Sequence, residues 1–201
     1  MNVVALIQER PLEAASVLFS VLYLVLAIRE SLWCWPAAFL SSVLTLAVVL
    51  GVRLYSEVVL NVYYAAMAVY GWYQWQYGGR TRGAAQLPIS IWPLKMHALA
   101  IGGSLALSAA VGLLMSRYTQ AAFPYLDAFV TVFSVVTTYL VARKILENWL
   151  YWLVVDSLAL YVYWQRELYF FVALFALYLV LVVIGLARWH RDWRAQIAVA
   201  A

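Results

Sequence analysis

The sequence predicts an all-α integral membrane protein of seven transmembrane helices, built as two parallel three-helix repeats joined by a connecting helix. Three observations carry that expectation. Of the 201 residues, 67% are apolar and only 11% charged, with a mean hydropathy of +0.87, whereas a soluble domain is roughly half apolar and about a quarter charged. The apolar residues fall into seven runs close to the roughly 20 residues that a helix needs to cross hydrocarbon. Finally, the chain matches itself without a gap when shifted by 114 positions.

The composition leaves too few polar side chains to cover a water-facing globule. It therefore excludes a soluble enzyme, a nucleic-acid binder and a disordered chain. The net charge of +4 reads as membrane topology, because the basic residues lie between the apolar runs. Cys34 is the single cysteine, which excludes an internal disulfide and a thiolate cluster. No basic flank followed by a small-residue cleavage site opens the chain, so the first helix is expected to be retained.

The expected spans are Leu12–Ile28, Leu32–Val52, Leu54–Tyr77, Leu94–Met115, Tyr125–Ala142, Asn148–Gln165 and Leu168–Ala187. They define a first three-helix bundle over 12–77, a Gly- and Pro-bearing cytoplasmic loop over 78–93 and a connector helix over 94–115. A second bundle follows over 125–187, then a basic cytoplasmic tail over 188–201. With seven spans, one side of the membrane collects Arg10, Arg53, Arg117 and Arg166. The other collects Arg29, Arg80, Arg82, Lys95, Arg143, Lys144, Arg188, Arg191 and Arg194. The positive-inside rule places the richer side in the cytoplasm and the N-terminus outside.

The 114-residue shift superposes 12–75 on 126–189 with 20 identities in 64 positions. Leu and Val coincidences inflate that figure, but Arg29 on Arg143, Trp35 on Trp149, Gly71 on Gly185 and Trp75 on Trp189 are harder to obtain by chance. A shift of four helices preserves direction, so both triplets are expected to cross the membrane in the same sense. Parallel repeats of this type are a transporter architecture with midplane substrate sites between the halves. The competing reading is a duplication retained for packing alone.

Charged side chains at mid-membrane are costly and are functional candidates. Glu13 and Asp127 are repeat mates near the outer surface and read as caps at helix N-termini; Glu57 lies about a turn into the third span. Asp156 differs, because it occupies the middle of the sixth span and every Lys and Arg lies in a loop or at a helix end. Its repeat mate is Ser42, so the shared scaffold does not demand an acid. A carboxyl there must be protonated, hydrogen-bonded, wetted, or held for a cation.

Helical phase at about 3.6 residues per turn groups Trp149, Trp152, Asp156 and Tyr163 on the sixth span. It groups Asn61, Tyr64, Ala68, Trp72 and Trp75 on the third, and Phe171, Phe175 and Tyr178 on the seventh. Aromatic faces beside a carboxyl form a cradle for a flat cation. Trp33, Trp35, Trp75, Trp149 and Trp189 also map to one membrane edge, where an interfacial belt is the simpler expectation. Trp152 lies deeper and its repeat mate is Ala38, which favours a ligand. Enzyme signatures are absent: His97 and His190 have no second ligand at metal spacing, no phosphate loop occurs, and Gly102-Gly103 reads as close helix packing.

The runs Tyr70-Gly71-Trp72-Tyr73-Gln74-Trp75 and Arg143-Lys144-Ile145-Leu146-Glu147-Asn148-Trp149-Leu150-Tyr151-Trp152, with Phe123-Pro124-Tyr125-Leu126-Asp127, resemble the PnuC family of bacterial vitamin transporters. The similarity spans about residues 12–190. It implies a three-plus-one-plus-three fold like that of full-length SWEET sugar carriers. It also implies facilitated diffusion of a vitamin without ATP or ion coupling, followed by trapping through cytoplasmic phosphorylation. Carried over by position, Trp149, Trp152 and Asp156 match the helix-six pattern of that family, and Tyr64 and Trp72 match aromatic positions of helix three. Asn61 stands where the family often has Gln, and Ala68 where it often has Asn or Ser.

The resulting expectation is a multi-pass carrier in a bacterial inner membrane for a cationic vitamin precursor, nicotinamide riboside first and thiamine second. Its binding residues would be Trp152, Asp156, Asn61, Tyr64, Trp149, Trp72, Tyr163, Phe175 and Tyr178. Neutral riboflavin gives the acid no charge to balance. A SWEET-like sugar carrier and a non-transporting membrane scaffold are the alternatives. No catalytic activity, cofactor, metal or nucleic-acid partner is expected; the lipid bilayer is, and self-association is left open.

Overall fold

The structure, a computed structural model, describes residues 11–51, 55–79 and 86–200. Arg10, Arg53, Arg80 and Arg82 of the charge tally, and Val52 and Leu54 at expected span limits, lie outside the described residues. Seven helices carry almost everything described: α1 (Pro11–Ile28), α2 (Cys34–Gly51), α3 (Tyr55–Tyr77), α4 (Leu94–Tyr118), α5 (Pro124–Ala142), α6 (Asn148–Gln165) and α7 (Tyr169–Ala200). The expected positions hold within about three residues, except that α7 continues to Ala200, so the basic tail is helical.

Four helices, α1, α4, α5 and α7, are long and apolar enough to cross a membrane. The apolar part of α2 is shorter, Cys34–Leu50. The remaining two, α3 and α6, have lower hydropathy because they carry Glu57, Asn61, Asn148 and Asp156 among many tyrosines and tryptophans. Those two helices also hold most of the candidate binding residues.

The chain divides into two units. The first holds α1–α3 with the chain to Pro88, and also Ala142–Lys144 from the α5–α6 turn; the second holds the remainder from Ile89. In the first unit α2 packs along both α1 and α3, and the Ser41 hydroxyl of α2 donates to the Ser16 carbonyl of α1 at 2.9 Å. The Trp35 ring lies so close to Gly71 that an added Cβ would overlap it. Trp75 meets Trp35 edge-on at 5.4 Å and 86°. The second unit contains the same joint 114 residues later. Trp149 covers Gly185, Trp189 meets it at 5.4 Å and 86°, and α6 packs along α7.

These joints correct the belt expectation. Trp35, Trp75, Trp149 and Trp189 are the largest fully buried side chains, and of the five only Trp33 is exposed. Trp35 and Trp149 each fill the gap left by a missing Cβ, a packing gain that depends on the facing helix. The expectation for Gly102-Gly103 is also corrected: among the described residues nothing lies within 4 Å of where their Cβ atoms would stand.

Three helices end with a charged residue in the left-handed region: Glu30 (φ 52°), Lys144 (φ 49°) and Glu167 (φ 57°). At each, the next residue's N–H returns to the carbonyl five residues back, as Ser31 to Leu26, Ile145 to Leu140 and Leu168 to Tyr163, all at 3.0 Å. This is the Schellman cap, which usually places Gly at that position. A non-glycine residue there costs about 1–2 kcal/mol. At two of the three, side-chain pairing offsets the cost. The Lys144 ammonium, 2% exposed, donates to Glu30 Oε2 at 2.7 Å and sits 4.6 Å from the Trp75 ring centroid.

Two predictions follow from these contacts. Gly71→Val and Gly185→Val should each lower thermal stability in detergent, by about 1–3 kcal/mol, the usual cost of overpacking. Glu30→Gln should cost about 3 kcal/mol, because it strands a buried ammonium; the double variant Glu30→Gln/Lys144→Met should recover much of that loss in the same melting assay.

Candidate functional site

Helix α6 begins where Asn148 Nδ2 donates to the Ile145 carbonyl at 2.7 Å. The residue before it, Glu147, turns its carboxylate away from the helix. Glu147 Oε2 accepts from the Trp92 backbone N–H at 3.4 Å, and Oε1 lies 3.4 Å from His97 Nε2. The other His97 nitrogen, Nδ1, bonds Tyr151 Oη at 2.9 Å. The Leu146 N–H also donates to the Ser90 carbonyl at 2.8 Å. The start of α6 is thus fastened to the start of α4, a network that sequence reading missed because its partners lie 50 or more residues apart.

One face of α6 is buried: Asn148, Trp149, Val155, Asp156, Ala159 and Val162. Asp156 is 5% exposed. Among the described residues it has neither an ion pair nor a hydrogen bond. One turn toward the helix N-terminus, on the same face, Trp152 is half-buried and has no ring partner among the described residues. A partnerless carboxyl and an unstacked indole therefore stand about 6 Å apart along the helix axis. Their repeat mates are smaller and self-sufficient: Ala38, and Ser42, whose hydroxyl donates to the Ala38 carbonyl at 2.9 Å.

At the other end of α6, Tyr163 stacks on Phe171 at 5.0 Å and 17°. It also lies 5.2 Å from Phe175, which meets Tyr178 at 5.4 Å. The structure thus joins Tyr163, Phe175 and Tyr178 into one aromatic group in the second unit. Trp149 is held in the joint with Gly185 and Trp189, 1% exposed, so its ring faces are already occupied by protein.

In the first unit the buried residues of α3 include Asn61, Ala68, Gly71 and Trp75. Asn61 Nδ2 donates to the Glu57 carbonyl at 2.9 Å. Tyr64 is half-buried beside Tyr63 at 5.8 Å. Trp72 lies at the margin of this face, 39% exposed, edge-on to Tyr77. No group of three or more His, Cys, Asp or Glu able to hold a metal occurs among the described residues.

The family model for nicotinamide mononucleotide transporters matches residues 10–191. The chain is 32% identical to the riboflavin/roseoflavin transporter RibM of Streptomyces davaonensis, over 85% of this chain and 78% of that one. It is 25% identical to the nicotinamide riboside transporter PnuC of Escherichia coli, over 59% of each. Among solved structures, the vitamin B3 transporter PnuC shares the fold, with a TM-score of 0.75, 18% identity, and coverage of 96% of this chain and 87% of that one. The buried Trp–Gly joints, the lipid-compatible helices and these likenesses agree: the chain is a multi-pass membrane protein belonging to the nicotinamide mononucleotide transporter family, the PnuC-type vitamin transporters.

Proposed function

We propose that this chain is a passive carrier for a vitamin with a flat, positively charged ring, nicotinamide riboside ahead of thiamine. The observation that supports this most is the partnerless Asp156 one turn from the unstacked Trp152. A cationic ring would stack on the indole, and its charge would be balanced by the carboxylate. Cation–π attraction contributes about 2 kcal/mol when desolvated. A phosphate at this point would be repelled by the acid, which favours a nucleoside over a nucleotide. The Tyr163, Phe175 and Tyr178 group would receive the remainder of the ligand, and Asn61, Tyr64 and Trp72 are the candidates of the first unit. Trp149 would act by holding α6 in place.

The duplicated Trp–Gly joints support reading 12–77 and 125–187 as two copies of a parallel three-helix bundle joined through α4, a SWEET-like plan. The N-terminus would lie outside and the C-terminus in the cytoplasm of a bacterial inner membrane. Transport would be facilitated diffusion, with phosphorylation inside the cell trapping the vitamin.

A second reading, riboflavin or roseoflavin, is favoured by the 32% identity to RibM. A neutral flavin would meet Asp156 in its protonated form, as a hydrogen-bond donor in place of a counter-charge.

Calorimetric titration of the purified protein with nicotinamide riboside, thiamine and riboflavin in parallel decides between them. Nicotinamide riboside is expected to bind most tightly, and Asp156→Ala or Trp152→Ala should weaken it by about ten- to thirtyfold, 1.4–2 kcal/mol. Binding of riboflavin alone would establish the second reading, and binding of none of the three would refute the carrier assignment. Thermal melting gives an independent check on whether Asp156 serves the fold. Asp156→Leu should melt at the same temperature or higher, because no partner is left unpaired; a clear loss of stability would show the acid to be structural.

A further inference from the structure

Tyr23 stands on α1, twelve residues past Pro11 and five before Ile28. Its ring lies 6.2 Å from that of Trp35, at 51°, and Trp35 is itself buried in the joint with Gly71 and Trp75. The Tyr23 hydroxyl has no hydrogen bond among the described residues. The indole N–H of Trp35 is likewise buried without an acceptor there.

Serine and threonine hydroxyls sit one bond from Cβ and can bond back to their own helix. A phenol carries its hydroxyl to the far side of a ring and cannot, so its partner must come from elsewhere. The residue 114 positions on is Thr137, fully buried, whose hydroxyl donates to the Phe133 carbonyl at 2.6 Å. The shared scaffold thus accepts a small, self-sufficient residue at this place, and one copy carries a tyrosine instead. An interfacial anchor would turn its hydroxyl to water at the helix end. Long side chains on a helix lean toward its N-terminus, which directs the Tyr23 hydroxyl away from the Ile28 end and into the span. Its ring is half-buried against an indole that is closed to solvent.

Within the first unit α2 packs along both α1 and α3. Cys34 of α2 and Tyr64 of α3 lie within electrostatic reach of the Tyr23 hydroxyl. Tyr64 is already a candidate ligand contact, so α1 brings a second phenol to its neighbourhood. The geometry points to Tyr23 as a further ligand contact, its hydroxyl pairing with an alcohol hydroxyl of the bound vitamin. This rests on the carrier reading above and deepens it. Phenol and alcohol each donate and accept, so the pair is satisfied without any charge. Nicotinamide riboside offers its ribose, thiamine its hydroxyethyl arm and riboflavin its ribityl chain. The contact therefore reads the arm of the ligand, whereas Asp156 and Trp152 read the ring.

Calorimetric titration of the purified full-length protein and its Tyr23→Phe variant tests this, with nicotinamide riboside and its 2′-, 3′- and 5′-deoxy analogues. Tyr23→Phe keeps the ring on Trp35 and should melt with the wild type. It should weaken nicotinamide riboside by about three- to tenfold, the worth of one hydrogen bond. One deoxy analogue should show a similar loss with the wild type and no further loss with the variant. Asp156→Ala should instead weaken all four ligands alike. If riboflavin alone binds, the same comparison runs against lumiflavin, which has the ring without the hydroxyls, and the variant should weaken only riboflavin. Unchanged affinity in Tyr23→Phe, an equal loss for every analogue, or a lowered melting temperature would overturn the contact and leave the carrier reading standing. Binding of none of the three vitamins to the wild type would overturn both.

Discussion

A polar group inside a hydrocarbon layer must find its partner within the protein, and in this chain most find it within their own helix. The Ser16, Ser20, Ser42, Thr137, Thr138 and Ser157 hydroxyls all donate to carbonyls three or four residues back, and Asn61 does the same through its amide. Such bonds need no neighbour, so a helix can carry them across the membrane at little cost. A carboxylate has no proton to donate and cannot join this scheme. Asp156 therefore differs from these side chains for a reason that lies in its chemistry, and the proposed function starts from that difference.

Packing within each unit rests on a different device. Lipid tails are as apolar as leucine, so helices in a membrane associate through close fit rather than through water exclusion. The Trp35–Gly71 and Trp149–Gly185 contacts supply such a fit, each closed by a second indole set edge-on. Fully buried, these rings bring large contact areas to places where a Cβ would not fit. The ion pair of Lys144 and Glu30 works beside one of them, with the ammonium over the Trp75 ring. Both residues occupy left-handed caps, and their charges make that strain tolerable.

The 114-residue internal match separates scaffold from specialisation. Where the two copies agree, in Trp35 and Trp149 or Gly71 and Gly185, the structure uses both residues in the same joint. Where they differ, Ala38 and Ser42 in one copy correspond to Trp152 and Asp156 in the other, and the larger pair has no hydrogen-bond, ion-pair or ring partner among the described residues to account for it. Residues that a scaffold does not require, and that cost something to keep, are the natural candidates for ligand contact.

Hydrophobic content, the seven helices and the family membership were legible from the chain alone, because apolar run length and the spacing of Trp, Gly and Arg are one-dimensional properties. So was the isolation of Asp156, since no Lys or Arg lies near mid-span in any helix. The role of the tryptophans was not. A belt and a buried joint have the same sequence pattern, and only the position of a facing glycine on another helix tells them apart. The tie of His97 to Glu147 and Tyr151, and the burial of Lys144 against Glu30, were equally invisible, because they join residues 50 to 114 positions apart. Composition and periodicity decide what a membrane helix can be; which of its side chains meet depends on how neighbouring helices are brought together, and that only the tertiary structure decided.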